Sequence, residues 1–127
     1  MNTENKPCPF CHISAEQILA ENEYCFAFYD IFPVNKGHVL IVPKRHVASY
    51  FALSREEMKA MNALMIQMKQ HLDNEFHPDG YNIGVNVGET AGQTVFHVHM
   101  HLIPRYAGDV ENPKGGVRGV IPERQRY

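Results

Sequence analysis

Three of the eight histidines of this 127-residue chain fall within five residues, at His97, His99 and His101, with one apolar residue in each gap. Side chains alternate between the two faces of a strand, so this spacing places the three imidazoles on one face and residues 96, 98, 100 and 102 on the other. The outer two would lie roughly 13 Å apart, too far for easy ligation of one metal by all three. An imidazole can act as nucleophile and proton donor near neutral pH, and a neighbouring imidazole can stabilise charge on a phosphate oxygen. Because such a row makes a poor core, it predicts a site for an anionic substrate.

The segment just before the histidines, residues 88–94, is rich in groups that can bind phosphate. Gly88 and Gly92 allow backbone amides to approach an anion closely, while Gln93 and Thr94 add side-chain hydrogen-bonding groups. By itself a glycine pair usually indicates only a turn. Beside the histidine row, it favours a phosphate-binding loop.

A second group with possible chemistry is the pair Cys8 and Cys11 near the N-terminus. Two cysteines at this spacing can be a redox pair, half of a zinc site, or a coincidence. A closed zinc site needs two further ligands, and His12 is the nearest in sequence. The third cysteine, Cys25, falls within a predicted strand, where buried packing is expected.

The elements that must position these residues follow from the apolar periodicity. A capping box at 14–17 predicts a brief helix, and a second one at 54–57 opens a long helix with methionines three and four residues apart that ends near residues 77–80. These methionines are interpreted as core. Strands are predicted at 23–29, 38–42, 81–87 and 95–103, followed by a loop or arm at 107–127. One long helix with strands at hairpin spacing favours an α+β domain with an antiparallel sheet.

Composition limits the classes of function. The chain carries 44% hydrophobic and 20% charged residues and a net charge of −2, which argues against nucleic acid or an anionic membrane as partner. It contains no apolar stretch long enough to span a bilayer, and residues 1–6 lack a signal-peptide core. Three cysteines favour thiols or metal ligands over a disulfide scaffold. We therefore expect one cytoplasmic domain.

Residues 97–103 match the pattern His-φ-His-φ-His-φ-φ, where φ is apolar, and the chain thereby resembles the histidine triad family. The resemblance extends to residues 30–31, 37–46 and 91–95 and to the lead at 8–11. It implies a fold in which two subunits join their antiparallel sheets into a continuous ten-stranded one. It also implies a purine nucleotide substrate and a covalent nucleotidyl–histidine intermediate.

The resemblance also implies a role for individual residues. His99 would be the nucleophile, His101 would contact the α-phosphate, and His38 would support the histidines. Phosphate or leaving-group oxygens would be bound by Asn86, Gln93 and Thr94, the ribose by Asp30, and the base by Phe10, Phe28 and Ile31. From the residues alone, Asp30 could equally initiate a turn and Phe28 could equally be core.

For the cysteine pair, the resemblance implies a structural zinc held by Cys8, Cys11, His46 and His97. The chain would then be a single domain over 1–127, with a zinc-binding lead at 1–13 and a C-terminal arm at 107–127. Metal-free thiols remain the alternative.

Residues 91–95 and 102–109 look most like the branch of the family that hydrolyses dinucleoside polyphosphates and releases AMP. Hydrolysis of AMP phosphoramidates is the alternative, whereas His101 argues against the sugar-nucleotide branch, in which a glutamine replaces the last triad histidine. Arg105 could reach a distal phosphate or be an ordinary strand-end arginine. Two other classes remain: a nucleotide-binding adaptor with incidental turnover, and a redox or metal-storage protein that binds no nucleotide.

Overall fold

The computed structural model describes residues 7–127, so residues 1–6 of the predicted lead lie outside the described part. Five strands form one antiparallel sheet in the order β1-β2-β3-β5-β4. The bounds are β1 Ile18–Glu21, β2 Cys25–Tyr29, β3 Val39–Pro43, β4 Gly80–Val85 and β5 Met100–Arg105, with one long helix, α1, at Arg55–Phe76. The predicted α+β architecture with an antiparallel sheet is confirmed. No helix among residues 7–127 is long and apolar enough to cross a membrane.

Helix α1 begins and ends where the sequence predicts. The Ser54 hydroxyl accepts from the Glu57 amide at 3.0 Å, and the Glu57 carboxylate accepts from the Ser54 amide at 2.8 Å. The helix ends at His77, whose φ of 50° is left-handed. Met61, Met68 and other apolar side chains of the same stripe are buried against the sheet, so the predicted core role of the methionines is confirmed.

The register of the sheet separates a helix-covered face from an open one. Ala27, Ile41 and Leu102 face α1 and are fully buried in the main core. The alternate residues form a row across the other face, in which Phe28 pairs with Leu40, Leu40 with His101, and His101 with Gly84. The helix therefore covers one side of the sheet and leaves this row available for a site.

Two predicted boundaries differ from the structure. Strand β1 was not expected; it is joined to β2 by a tight turn in which the Asn22 side-chain oxygen accepts from the amides of Tyr24 and Cys25. The predicted strand 95–103 begins only at Met100, because the Val98 amide donates to Val47 O at 2.7 Å rather than joining the sheet. The predicted arm at 107–127 contains two short 3₁₀ helices, at Gly116–Val120 and Pro122–Arg124.

Candidate active site and metal centre

A cavity of about 990 Å³ opens on the uncovered face of the sheet, within the size range of small-molecule sites. Its walls combine aromatic and aliphatic side chains with a few polar groups. Eight of the predicted site residues line it: Phe10, Phe28, Asp30, Ile31, Asn86, Thr94, His99 and His101. The lining also includes Ile13 and Leu40, which sequence reasoning missed because apolar residues in a lead and in a strand carry no functional signal.

His99 has one ring nitrogen held by the backbone. Its Nδ1 lies 2.9 Å from the carbonyl oxygen of His97, and because a carbonyl only accepts, Nδ1 carries the proton. In the neutral ring, Nε2 is left with a lone pair. The edge of the Phe10 ring packs against the same imidazole, with centroids 5.0 Å apart. His99 can therefore act as a nucleophile through Nε2.

His101 is oriented by a relay of hydrogen bonds. The Val34 amide donates to His38 Nδ1 at 3.0 Å, so the proton of the neutral His38 ring is on Nε2. His38 Nε2 then donates to His101 Nδ1 at 2.9 Å, which leaves the His101 proton on its own Nε2. His101 thus offers an N–H donor beside the lone pair of His99, with their ring centroids 5.2 Å apart.

Both imidazoles of the relay are neutral near pH 7. Burial, followed by the charges of His99 and His38, lowers the pKa of His101 to about 4, although Asp30 opposes the shift. Burial also lowers the pKa of His38, again against the effect of Asp30. The relay therefore rests on the choice of tautomer rather than on a charge.

The side chain of Asp30 has both of the functions left open by the sequence. One carboxylate oxygen accepts from the Phe32 amide at 2.9 Å, as in a turn, while the other lies 3.5 Å from His38 Nε2. The same residue lines the cavity. It can hold the turn and still present an acceptor to a ligand hydroxyl.

Gln93 does not line the cavity, and this corrects the expectation that its side chain faces a phosphate. Its side chain is buried and its amide is fully used: the oxygen accepts from the Gly88 amide at 2.9 Å, and the nitrogen donates to Ala48 O at 2.8 Å and to Val95 O at 3.1 Å. Gln93 braces the loop, while Thr94 is the member of the pair that reaches the cavity.

Arg105 is also away from the cavity. Its guanidinium donates to both carboxylate oxygens of Asp109 at 2.8 Å and to the side-chain oxygen of Asn82 at 2.6 Å. The expectation that Arg105 could reach a phosphate from the main cavity is therefore wrong, because these pairs hold it at the far end of β5.

Four predicted metal ligands come together: the donor atoms of Cys8, Cys11, His46 and His97 all lie within 4.8 Å of one another. The sulfur–nitrogen distances are 3.3 Å for Cys11–His46, 3.4 Å for Cys8–His97 and 3.5 Å for Cys11–His97. A tetrahedral zinc with sulfur and nitrogen ligands requires roughly 3.6 Å along such an edge, so these residues fit the ion. His12 is not in this group.

His97 connects the metal ligands with the nucleophile. Its Nε2 donates to Pro43 O at 2.8 Å, which leaves Nδ1 toward the two cysteines, and its carbonyl holds His99. Burial lowers the pKa of His97 and so favours the neutral form that binds metals. The first triad histidine therefore lies in the metal group, whereas the other two face the cavity.

His46 is positioned by an ion pair that the sequence did not reveal. The neighbouring Arg45 donates to both carboxylate oxygens of Glu57, at 3.0 and 2.8 Å. Because Glu57 also closes the cap of α1, this pair fixes the ligand loop to the start of the helix. The Arg45 guanidinium lowers the pKa of Glu57 to about 2.

Comparison with known families gives a match to one described as "HIT domain", over residues 13–108. Two relatives carry activities in their names. A bis(5'-adenosyl)-triphosphatase of Dictyostelium discoideum is 37% identical over 79% of this chain and 67% of its own length, and an adenosine 5'-monophosphoramidase of Schizosaccharomyces pombe is 38% identical over 77% and 74%.

Solved structures agree with the fold. A HIT family protein from Bacillus anthracis superposes with a TM-score of 0.73 at 42% identity, covering 80% of this chain and 74% of that one. A zinc-bound histidine triad family protein from Mycobacterium smegmatis gives a TM-score of 0.67 at 35% identity, covering 72% and 67%.

Proposed function

The chain belongs to the HIT domain family, and from that premise we propose that it is a hydrolase of nucleotides that cleaves at the α-phosphate, with dinucleoside polyphosphates as substrates and AMP as one product. The Dictyostelium relative, by its name, acts on a substrate of this class. Hydrolysis of a phosphorus anhydride is the reaction class that the named relatives support.

One observation carries the proposal: a lone pair on His99 Nε2 and an N–H on His101 Nε2 stand side by side in one cavity. In the first step, Nε2 of His99 attacks the α-phosphorus. A P–N bond forms, the P–O bond to the leaving group breaks, and the leaving group departs with the electron pair. His101 donates to a non-bridging oxygen as its charge grows.

The first step leaves a positive charge on the His99 ring, which the carbonyl of His97 stabilises through Nδ1–H. Water then attacks the same phosphorus and breaks the P–N bond. AMP is released with the oxygen of that water, the water proton passes to solvent, and His99 regains its lone pair.

The remaining cavity residues are proposed to bind the nucleoside half that becomes AMP. Phe10 and Phe28, whose ring centroids are 5.5 Å apart, and Ile31 would hold the base. Asp30 would accept from the ribose hydroxyls, and Asn86 and Thr94 would donate to phosphate oxygens.

We also propose that Cys8, Cys11, His46 and His97 hold one zinc ion per chain, as the sulfur–nitrogen distances allow. The ion would be structural, tying the N-terminal lead to the segment before β5. This assignment treats residues 1–127 as a single domain, with the lead at 1–13 and the arm at 107–127.

A homodimer is part of the proposal. Strand β4 pairs only on one side, with β5, and Ile83 is 43% exposed on it. A second copy added at this edge would continue the sheet to ten strands. Three free cysteines agree with a cytoplasmic location.

Hydrolysis of AMP phosphoramidates is the second candidate, favoured by the name of the Schizosaccharomyces relative. The same attack by His99 would release an amine instead of a nucleotide. The AMP half would be bound identically, so the two functions differ only in the leaving group.

The substitution His99→Ala tests the mechanism. Turnover should fall by roughly 10³ or more, while AMP affinity stays within about tenfold, because the change removes the nucleophile and leaves the pocket. The control His71→Ala alters a histidine bonded to Tyr29 outside the cavity and should keep full turnover. Tight AMP binding without turnover of either substrate by the native protein would indicate an adaptor instead.

The stereochemistry at phosphorus provides an independent check. Two in-line displacements at a chiral α-phosphorothioate should give net retention, whereas direct attack by water would invert the centre. An inverted product would rule out the histidine intermediate.

A further inference from the structure

A second cavity, of about 460 Å³, adjoins the first on the open face of the sheet. The two share His101, Asn86, Asp30 and Phe32 in their linings, so they form one continuous groove. The base pocket extends across the sheet toward β2 and β3. The second cavity extends from His101 in another direction, along β4 and β5.

The direction of this second cavity is the direction in which a leaving group must depart. His99, His101 and Ile103 are two residues apart on or just before β5; His99 lines only the first cavity, His101 lines both, and Ile103 lines the second. Attacking and leaving atoms stand roughly in line at the phosphorus. With His99 attacking a phosphorus held at His101, the leaving group points toward Ile103.

Open space exists immediately beside His101 on that side. Gly84 is paired with His101 across the ladder, and a Cβ added to Gly84 would meet nothing within 4 Å. Asn82 and Asn86, which alternate with Gly84 on β4, place amide groups along the same path. The floor of this part of the groove can therefore hydrogen-bond phosphate or ribose oxygens.

The walls of the second cavity are apolar and exposed. Val34 comes from the turn after β2, and Val117 and Val120 come from the C-terminal segment; their exposed fractions are 68%, 61% and 78%. Such a cluster beside a polar floor suits a flat apolar group attached to phosphates. A small amine would contact none of these walls.

The C-terminal segment is braced so that its valines keep their place. The Arg118 guanidinium donates to Gln125 O at 3.2 Å and to Arg124 O at 3.0 Å, and it stacks on the Tyr127 ring at 5.0 Å. Gly116 lies next to Asn82 of β4. The family match ends at residue 108, so these walls belong to a part of the chain outside it.

We propose that this groove, lined by Gly84, Ile103, Val34, Val117 and Val120, binds the second nucleoside of a dinucleoside polyphosphate, on the leaving-group side of the cleaved bond. The proposal rests on the proposed function and deepens it. The C-terminal segment would make the protein prefer substrates that carry a base at both ends.

The experiment compares two substrates that share the AMP half and differ in the leaving group: diadenosine triphosphate and adenosine 5'-phosphoramidate. The variants are Gly84→Val, which fills the floor, and the double change Val117→Ser with Val120→Ser, which removes one wall. For each, kcat/KM on diadenosine triphosphate should fall about tenfold, mainly through KM, while kcat/KM on the phosphoramidate stays within about twofold. The control Phe51→Ser, at a side chain also 78% exposed but outside the groove, should change neither.

Equal losses on the two substrates, or no loss on either, would overturn the inference. So would a change in the sedimentation of the double variant, because it would make the valines an interface between copies of the chain.

A binding measurement separates this inference from the proposed function. In the His99→Ala protein, calorimetry should show diadenosine triphosphate binding about tenfold tighter than AMP, and the double valine change should abolish that difference. Should the native protein hydrolyse neither substrate, the proposed function fails while this measurement still decides the inference. Equal affinities for the two ligands would contradict it.

Discussion

Each triad histidine has one ring nitrogen committed to a protein partner, and that partner determines which nitrogen remains for chemistry. Pro43 O holds Nε2 of His97, His97 O holds Nδ1 of His99, and His38 holds Nδ1 of His101. Three identical side chains therefore have three capacities, those of metal ligand, nucleophile and donor. The differences come from backbone carbonyls and from one buried histidine.

The low pKa of His101 makes a prediction about stability at acid pH. Its ordinary pKa is 6.5 and its folded value is about 4, so the unfolded chain binds the proton more readily between these values. The contribution of His101 to stability is therefore complete above pH 6.5 and is lost as the pH falls toward 4. Urea unfolding at several pH values should show a shallower loss over this window for His101→Asn than for the native protein. The same slope in both proteins would contradict the assignment, and His77→Asn, at an exposed histidine whose pKa is not shifted, would serve as control.

The chemistry of His99 and His101 could be predicted from spacing and resemblance, because an alternating row of imidazoles has few other uses. The roles of Gln93 and Arg105 could not. The Gln93 amide is used by the carbonyl of Ala48, 45 residues away, and Arg105 is held by Asp109. Long polar side chains choose their partners from the whole fold, which local sequence does not specify.

Elements with a strong local signal were predicted closely. The capping box and the apolar stripe define α1 from Ser54 to His77, and apolar runs define β2 and β3. The histidine segment was predicted as strand over its whole length, yet only its second half pairs with β3 and β4. Backbone bonding to Val47 draws the first half away, and this departure frees the His97 carbonyl for His99.

The cap of α1 can be tested by Ser54→Ala. The change removes the acceptor for the Glu57 amide at a helix of 22 residues and should lower the free energy of unfolding by about 1 kcal/mol. Ser49→Ala is the matched control, because Ser49 caps only a three-residue 3₁₀ helix and should cost less. Equal losses in urea unfolding would show that the α1 cap has no special weight.

At the scale of the whole molecule, the metal ligands connect regions that are far apart in sequence. Cys8 and Cys11 belong to the N-terminal lead, His46 follows β3, and His97 precedes β5. A short lead buries little apolar surface, so a shared ion would contribute much of what holds it. Neither a spacing nor a periodicity in the sequence relates these positions; only the family resemblance does.

We expect one zinc per chain, and we expect its removal by a chelator to lower Tm. Cys8→Ser should lose the metal, as measured by elemental analysis. Cys25→Ser should retain it, because Cys25 is buried in the core away from the ligand group. Metal-free protein after careful purification, or unchanged zinc in Cys8→Ser, would contradict the assignment.

The position of Phe10 between the two cysteines has a consequence for how the protein handles its ligands. The same ring packs 5.0 Å from His99 and 5.5 Å from Phe28, so one short segment is both metal loop and pocket wall. Two ligands that favour the same placement of one segment bind with positive cooperativity, and the coupling is reciprocal. By whatever factor zinc tightens the binding of AMP, AMP must tighten the binding of zinc. The protein would then lose its metal most readily when nucleotide is scarce, and its capacity to bind nucleotide would follow the supply of zinc.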